Sequence, residues 1–132
     1  MLTLTSALCR AATTYRDKLA IIDPEGQFTW AEFVDRIACA ASVLQSLGVE
    51  RGDRFGIICR NSFRNAELMY AGYWMGAVPV PINYRLAPVE IADILTDAGC
   101  EIVAVEAYFE ALLGADVLKP WAASPLWITP PA

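Results

Sequence analysis

The feature that most constrains the fold is a regular alternation of short apolar strands and helices between Arg54 and Val105. Strands are predicted at 54–59, 78–82 and 102–105; between them lie a helix capped by Asn61 or Ser62 that runs to about residue 75 and a helix at 88–98. This order predicts right-handed βαβ crossovers and an α/β fold with a mostly parallel, Rossmann-like βαβαβ sheet and flanking helices. The first strand is apolar on both faces and is expected at the centre of the sheet. Pro79 and Pro81 each lack a backbone donor, so their strand is expected to be short or at an edge.

Ahead of this alternation, the sequence predicts a helix, a β-hairpin and a second, longer helix. Apolar residues at helical spacing predict a helix over 4–15, and a turn signal at 24–26 predicts a hairpin over 19–29. Thr29 and Glu32 match a capping box, in which each side chain accepts a hydrogen bond from the backbone N–H of the other residue. The helix that begins there is expected to end at Gly48.

The chain changes character after residue 115. A helix is predicted over 107–113, and residues 126–128 could form one more strand. The last segment is rich in proline, with Pro120, Pro125, Pro130 and Pro131. We therefore expect an N-terminal α/β unit over 1–115, followed over 116–132 by a Pro-rich tail or a truncated continuation.

Composition excludes several classes of function. The 132 residues carry ten basic and fifteen acidic side chains, a net charge of −5, with no basic cluster of the kind that nucleic-acid binding needs. No histidine is present, which removes His-based acid–base catalysis and His-containing metal sites. The chain is 56% hydrophobic with a mean hydropathy of +0.39. We expect this excess of apolar residues to leave an apolar surface that other protein covers.

The cysteines and the apolar segments bear on location. The four cysteines have no Cys-x-x-Cys spacing and lie among apolar neighbours, so buried free thiols in a reducing, cytoplasmic setting are predicted. The first twelve residues do not have the pattern of a secretory signal. The longest uncharged apolar stretch, 68–84, is broken by prolines and glycines, so no transmembrane helix is predicted.

A search for catalytic motifs finds none. The turn from the first predicted strand of the sheet into its helix, residues 59–63, has no glycine, so it does not match a dinucleotide-binding loop. No phosphate loop or nucleophile elbow is present. Glu90, Asp93 and Asp97 lie at helical spacing and are interpreted as a solvated acidic face rather than a catalytic or metal-binding group. We predict no catalytic residue and no metal site in this chain.

Arg85 is the one candidate binding residue. It follows the predicted strand 78–82 at the carboxyl edge of the sheet, where ligands of open α/β sheets bind. Its guanidinium could hold a phosphate bidentately, or it could be a surface arginine paired with a neighbouring acid. A set of aromatic residues could line an acyl pocket, or could belong to the core or to a packing interface: Tyr70, Tyr73, Trp74 and Tyr84.

Several segments, in order and spacing, resemble the N-terminal region of the AMP-forming adenylate ligases, the acyl-CoA synthetase superfamily. They are D-K-L-A-I-I-D at 17–23, F-T-W-A-E-F at 28–33, G-V at 48–49, G-D-R-F-G-I at 52–57, N-S at 61–62, E-L at 67–68, G-A-V-P-V-P-I-N-Y-R-L at 76–86, E-I at 90–91 and I-L at 94–95. The resemblance extends from about residue 17 to residue 105. It implies that the chain is part of a larger fold.

The resemblance implies an ATP-dependent carboxylic acid–CoA ligase of fatty acid metabolism that forms an acyl-adenylate and then a thioester. ATP, Mg and coenzyme A are the implied cofactors of the intact enzyme. The family's phosphate loop, its adenine- and Mg-binding motifs and its catalytic lysine lie beyond the matched segment, and the only lysines here are Lys18 and Lys119. We therefore expect this chain alone to be inactive and to bind none of these cofactors. The resemblance favours Arg85 as a contact to a phosphate of coenzyme A.

Two partners are expected for such a chain. The first is the rest of the parent ligase, which would cover the apolar surface; the second is another copy of the chain, through self-association. The alternative function is a non-catalytic, stand-alone scaffold that dimerises or docks on a partner.

Overall fold

The computed structural model describes residues 3–128, which divide into two compact units. Unit 1 comprises the described residues up to Arg51 together with Asn61–Ala77. Unit 2 comprises Gly52–Arg60 and the described residues from Val78 onward. The fold is α/β, as predicted.

Unit 1 contains the predicted hairpin and three helices. Its elements are α1 (Leu4–Thr14), β1 (Leu19–Asp23), β2 (Gly26–Thr29), α2 (Trp30–Ser46) and α3 (Phe63–Met75). The strands β1 and β2 pair antiparallel. Both bonds of the predicted capping box form, since Thr29 Oγ1 accepts from the Glu32 N–H at 3.2 Å and Glu32 Oε1 accepts from the Thr29 N–H at 3.3 Å. Leu8, Phe33 and Ile37 form the centre of its core.

Unit 2 contains a parallel sheet of four strands in the order β4-β3-β5-β6. They are β3 (Arg54–Ile58), β4 (Val78–Pro81), β5 (Ile102–Val105) and β6 (Leu126–Trp127). The central position predicted for β3 and the edge position predicted for β4 are both confirmed. The strand expected at 126–128 is confirmed as β6, which pairs parallel to β5. The parallel sheet of the predicted fold class is therefore confirmed.

The connections of unit 2 supply most of its core. Helix α4 (Pro88–Ala98) begins with a proline in its first turn and contributes the buried Ile91 and Leu95. The helix predicted over 107–113 is instead a 3₁₀ helix, Ala107–Gly114, because Phe109 adopts φ −101° and ψ 17°, which interrupts α-helical geometry. A second 3₁₀ helix, Asp116–Leu118, and the short helix α5, Lys119–Ala122, lead to β6.

The segment after residue 115 packs into unit 2 as far as it is described. Leu118 is fully buried. The Trp121 indole N–H donates to the Cys100 carbonyl at 2.7 Å. Pro130 and Pro131 lie outside the described residues. The division between 1–115 and 116–132 stays a prediction.

Two of the four cysteines differ from the prediction. None of the four forms a disulfide, but only Cys59 and Cys100 are buried, whereas Cys9 and Cys39 are exposed on helices α1 and α2. Apolar neighbours in sequence misled the prediction there, because successive residues of a helix point in different directions. Within residues 3–128, no helix is long and apolar enough to cross a membrane.

Candidate functional site

The candidate site is the carboxyl edge of the parallel sheet in unit 2. Two backbone bonds continue the strand pairing past the ends of the strands at this edge. The Glu106 N–H donates to the Ile58 carbonyl at 2.9 Å, and the Ile82 N–H donates to the Ile57 carbonyl at 2.9 Å. Consequently the segments that follow β3, β4 and β5 leave the sheet in fixed positions. Arg60, Glu106 and Arg85 are carried by these three segments.

Arg60 and Glu106 form a multiply bonded ion pair at this edge. Glu106 Oε1 accepts from Arg60 Nε at 3.0 Å and from Nη2 at 2.6 Å, while Oε2 accepts from the Arg60 backbone N–H at 2.9 Å. The hydrogen bonds from Arg60 hold the pKa of the Glu106 carboxyl below its usual range, against the opposing effect of burial. The same pairing raises the pKa of Arg60. Both groups are therefore charged at neutral pH.

Aromatic rings connect this ion pair to Arg85. The Arg60 guanidinium lies 4.1 Å from the centre of the Tyr108 ring. Tyr108 meets Phe109 edge-on, with ring centres 5.1 Å apart, and Phe109 stacks on Tyr84 at 4.8 Å. Arg85 Cζ lies 5.7 Å from the centre of the Tyr84 ring. The edge thus carries a row of three aromatic rings with an arginine at each end.

Arg85 is exposed, and its guanidinium has no acidic partner among residues 3–128. Its backbone N–H donates to Asn83 Oδ1 at 3.0 Å, which fixes the turn that follows β4. Pairing with a neighbouring acid, the alternative considered from sequence, is not found in this part of the chain. A guanidinium in this state can accept an anion without first breaking an ion pair.

The N-terminus of α3 is occupied by side chains of unit 1. Asp23 Oδ2 accepts from the Phe63 N–H at 3.1 Å, and Ser62 Oγ accepts from the Asn65 N–H at 3.4 Å. Arg64 of the same turn pairs with Glu25 of the hairpin at 2.5 Å. A carboxylate at this helix end satisfies the donors that a phosphate would use and repels its charge. The structure therefore agrees with the sequence of residues 59–63, which contains no glycine and does not match a phosphate-binding loop.

The aromatic residues singled out from sequence do not form one cluster. Tyr70 and Trp74 pack against the core of unit 1, and Tyr70 meets both Phe33 and Tyr73 edge-on. Tyr84 belongs instead to unit 2, where it stacks on Phe109. Tyr70 and Trp74 are therefore half-buried side chains that pack against this core, which fits the interpretation of these residues as core or packing residues.

Sequence reasoning missed Glu106, Tyr108 and Phe109. Glu106 could have been identified from its position directly after the apolar strand 102–105. Because the carboxyl ends of parallel strands lie at the same edge of a sheet, this position places its carboxylate at the same edge as Arg60. The acidic residues that sequence analysis did single out, Glu90, Asp93 and Asp97, are exposed as expected. No group of three or more Cys, Asp or Glu side chains within residues 3–128 is arranged to hold a metal ion.

Comparison with known proteins identifies the class to which this fold and edge belong. The family described as AMP-binding enzyme matches residues 8–125. The chain belongs to the AMP-binding enzyme family, which confirms the resemblance drawn from its sequence motifs.

Individual relatives are acyl-CoA ligases. The chain is 34% identical over 105 residues to 4-hydroxybutyrate–CoA ligase 2 of Metallosphaera sedula, covering 79% of this chain and 19% of the relative. It is 37% identical over 86 residues to the long-chain-fatty-acid–CoA ligase FadD13 of Mycobacterium tuberculosis, covering 64% of this chain and 17% of the relative. The chain thus spans about a fifth of the length of these relatives.

The fold of this chain also matches that of a solved structure. The N-terminal domain of FACL13 from Mycobacterium tuberculosis superposes with a TM-score of 0.86 at 30% identity. The match covers 96% of this chain and 33% of that chain. The fold is therefore that of part of a ligase N-terminal domain.

Proposed function

We propose that this chain is the N-terminal scaffold portion of an ATP-dependent, AMP-forming carboxylic acid–CoA ligase. The observation that carries the proposal is the family match over residues 8–125, together with the CoA-ligase relatives. In such a reaction, a carboxylate oxygen attacks the α-phosphorus of ATP, releasing pyrophosphate and giving an acyl-adenylate. The thiol of coenzyme A then attacks the acyl carbon, forming the thioester and releasing AMP.

The direct test uses the complete ligase that contains this chain. With a panel of carboxylic acids, ATP, Mg²⁺ and coenzyme A, we expect formation of a CoA thioester and release of AMP and pyrophosphate in equal amounts. Release of ADP and phosphate, or no acid-dependent turnover with any member of a broad panel, would argue against the proposal.

Within that ligase, this chain would supply structure and one ligand contact rather than a reacting group. We assign the contact to Arg85, whose exposed guanidinium at the sheet edge has no acidic partner among residues 3–128 and suits a phosphate of coenzyme A. Loss of a charge-assisted hydrogen bond of this kind costs about 1.5–3 kcal/mol. Arg85→Ala should therefore raise the KM for coenzyme A by roughly tenfold or more.

The Arg85 test has an internal and an external control. The exchange of pyrophosphate into ATP, which needs no coenzyme A, should be unchanged in Arg85→Ala. Arg10→Ala removes another exposed arginine, from helix α1 in unit 1, and should leave the KM for coenzyme A as it is. An unaltered KM for coenzyme A in Arg85→Ala would disprove the assignment of this contact.

The chain by itself should not bind ATP. Calorimetric titration of the isolated chain with ATP and Mg²⁺ should give no binding heat, because no phosphate loop is present in its sequence. Binding in the micromolar range would reveal a nucleotide site within these residues. We place the ATP- and Mg²⁺-binding residues in the remainder of the ligase.

Exposed apolar side chains support the proposal that other protein covers this chain. Among residues 3–128, the large ones that are more than half exposed are Ile22, Tyr108, Leu4 and Val89. The rest of the ligase would cover them in the intact enzyme, whereas the isolated chain would self-associate. A single monomeric species at high concentration in sedimentation velocity would contradict this expectation. The comparisons do not favour the alternative of a stand-alone scaffold.

The proposed location is the cytoplasm. Four cysteines that form no disulfide suit a reducing compartment. Cell fractionation with an antibody against the chain would test the location, and recovery from a secreted or membrane fraction would contradict it.

A further inference from the structure

Glu106 fixes the ends of two neighbouring strands at the carboxyl edge of unit 2. Its backbone N–H donates to Ile58 in β3, and its carboxylate binds both the backbone N–H and the guanidinium of Arg60. The residue therefore binds the segment leaving β3 through main chain and side chain together. Charge-assisted bonds of this type are the stronger ones in proteins.

The chain that follows Glu106 is folded back and carries the ring that supports Tyr84. The Phe109 N–H donates to the Glu106 carbonyl at 2.8 Å, closing a tight turn. The Phe109 ring stacks on Tyr84 with an interplanar angle of 30°. Arg85 is the next residue along the chain and lies over the same Tyr84 ring. Each contact in this series joins residues of unit 2.

We propose that Glu106 is a positioning residue for Arg85, acting through Phe109 and Tyr84. The inference rests on the proposed function, because it assigns Arg85 a ligand whose binding depends on where its guanidinium lies. Glu106 itself does not touch that ligand, since its carboxylate is occupied by Arg60. Glu106→Gln retains the shape and one oxygen acceptor but removes the charge that binds the guanidinium.

The chain contains a matched ion pair for use as a control. Arg36 Nε lies 2.6 Å from Glu67 Oε2, and the Arg36 and Glu67 side chains are 43% and 14% exposed. The Arg60 and Glu106 side chains are likewise 2.6 Å apart at their closest atoms and are 49% and 13% exposed. Glu67→Gln therefore removes the same charge from a similar pair in unit 1. A purely structural effect of losing such a pair should appear equally in both variants.

The first measurement needs no ligand and uses the complete ligase. In NMR spectra, Glu106→Gln should shift the Arg85 backbone amide and weaken the ring-to-ring contacts between Tyr84 and Phe109, while Glu67→Gln should change neither. If Glu106→Gln does not fold, Phe109→Leu removes the stacking ring and leaves the Arg60–Glu106 pair, and it should shift Arg85 in the same way. Unchanged Arg85 and Tyr84 signals in the folded variant would overturn the inference.

The second measurement is a double-mutant cycle on the KM for coenzyme A in the complete ligase. Glu106→Gln should raise this KM roughly threefold to tenfold while Arg85 is present, and should add nothing once Arg85 is alanine. A multiplicative effect in the double variant would mean that Glu106 acts independently of Arg85 and would overturn the inference. If Arg85→Ala leaves the KM unchanged, the proposed ligand contact fails, and the NMR result still decides whether Glu106 positions Arg85.

Discussion

A Cβ atom placed on Gly56 would lie 2.6 Å from Leu95 Cδ2, closer than packed atoms in proteins approach. Gly56 lies in the middle of β3, and Leu95 belongs to α4 and is 1% exposed. Val103 of the neighbouring strand lies at 3.4 Å from the same position. Glycine is required at this point of the central strand because a buried side chain of α4 fills the space that a Cβ would need.

Gly56→Ala should therefore destabilise unit 2. Adding a methyl group to a filled core costs about 1–3 kcal/mol, because Leu95 must leave its rotamer or α4 must shift. Chemical denaturation followed by circular dichroism measures the change in the free energy of unfolding. Gly114→Ala is the control, since nothing lies within 4 Å of a Cβ there, and it should change stability by less than about 0.5 kcal/mol. Equal stability of the two variants would contradict the packing argument.

Thr29→Ala should weaken the start of helix α2. The Thr29 hydroxyl accepts from the Glu32 N–H and donates to Glu32 Oε1 at 2.8 Å, and alanine can do neither. Loss of such a cap costs about 0.5–2 kcal/mol in the free energy of unfolding. Thr96→Ala, at an exposed position within α4, should be neutral or slightly stabilising, because alanine favours a helix more than threonine does. A thermal melt that ranks the two variants in the opposite order would be inconsistent with this cap.

The stability contributed by Glu106 should depend on pH. Its pKa in the folded chain is lowered by the hydrogen bonds from Arg60, so its contribution is present above the unfolded pKa of about 4.3 and is lost as the pH falls through the lowered folded value. The unfolding free energies of the wild-type chain and Glu106→Gln should therefore differ most near neutral pH and converge as the pH falls from about 4.3 through the lowered folded pKa of Glu106. Urea denaturation across this range measures the difference. A gap that stays constant with pH would show that the pair contributes nothing through its charge.

Trp121→Phe should loosen the segment that precedes β6. The substitution removes the indole N–H that donates to the Cys100 carbonyl, a bond worth about 0.5–1.5 kcal/mol. Trp127→Phe provides the comparison, since Trp127 packs against the same core and its indole has no hydrogen-bond partner within residues 3–128. Hydrogen exchange at Cys100 and at the β6 amides should increase more in Trp121→Phe than in Trp127→Phe. The reverse ranking would show that ring volume, not the hydrogen bond, dominates.

Features that depend on a few successive residues were predictable. Thr29 and Glu32 lie three residues apart, so their reciprocal bonds form as soon as the first helical turn does. The edge position of β4 followed from its two prolines, which cannot donate to a second neighbour. The alternation of strands and helices predicted the parallel sheet, because strand–helix–strand connections within one sheet have one preferred handedness.

The candidate site was only partly predictable. Arg85 lies past the end of β4, as its position after a predicted strand indicated, and its role as a ligand contact stays a prediction. Its link to Glu106 was not foreseen, since it passes through Phe109, whose non-helical backbone the pattern of apolar residues does not reveal. The exposure of Cys9 and Cys39 was missed for a related reason, because burial depends on which helix face meets other elements.

The sequence by itself determined the class of fold, the ends of the capped helices and the family to which the chain belongs. These follow from backbone preferences and motifs within short windows. Only the tertiary structure decided that Arg60 is paired with Glu106, 46 residues away, while Arg85 has no acidic partner among residues 3–128. Both arginines follow parallel strands and look alike in sequence. The register between β3 and β5 brings the Glu106 carboxylate to Arg60, whereas no strand pairing brings an acid from residues 3–128 to Arg85.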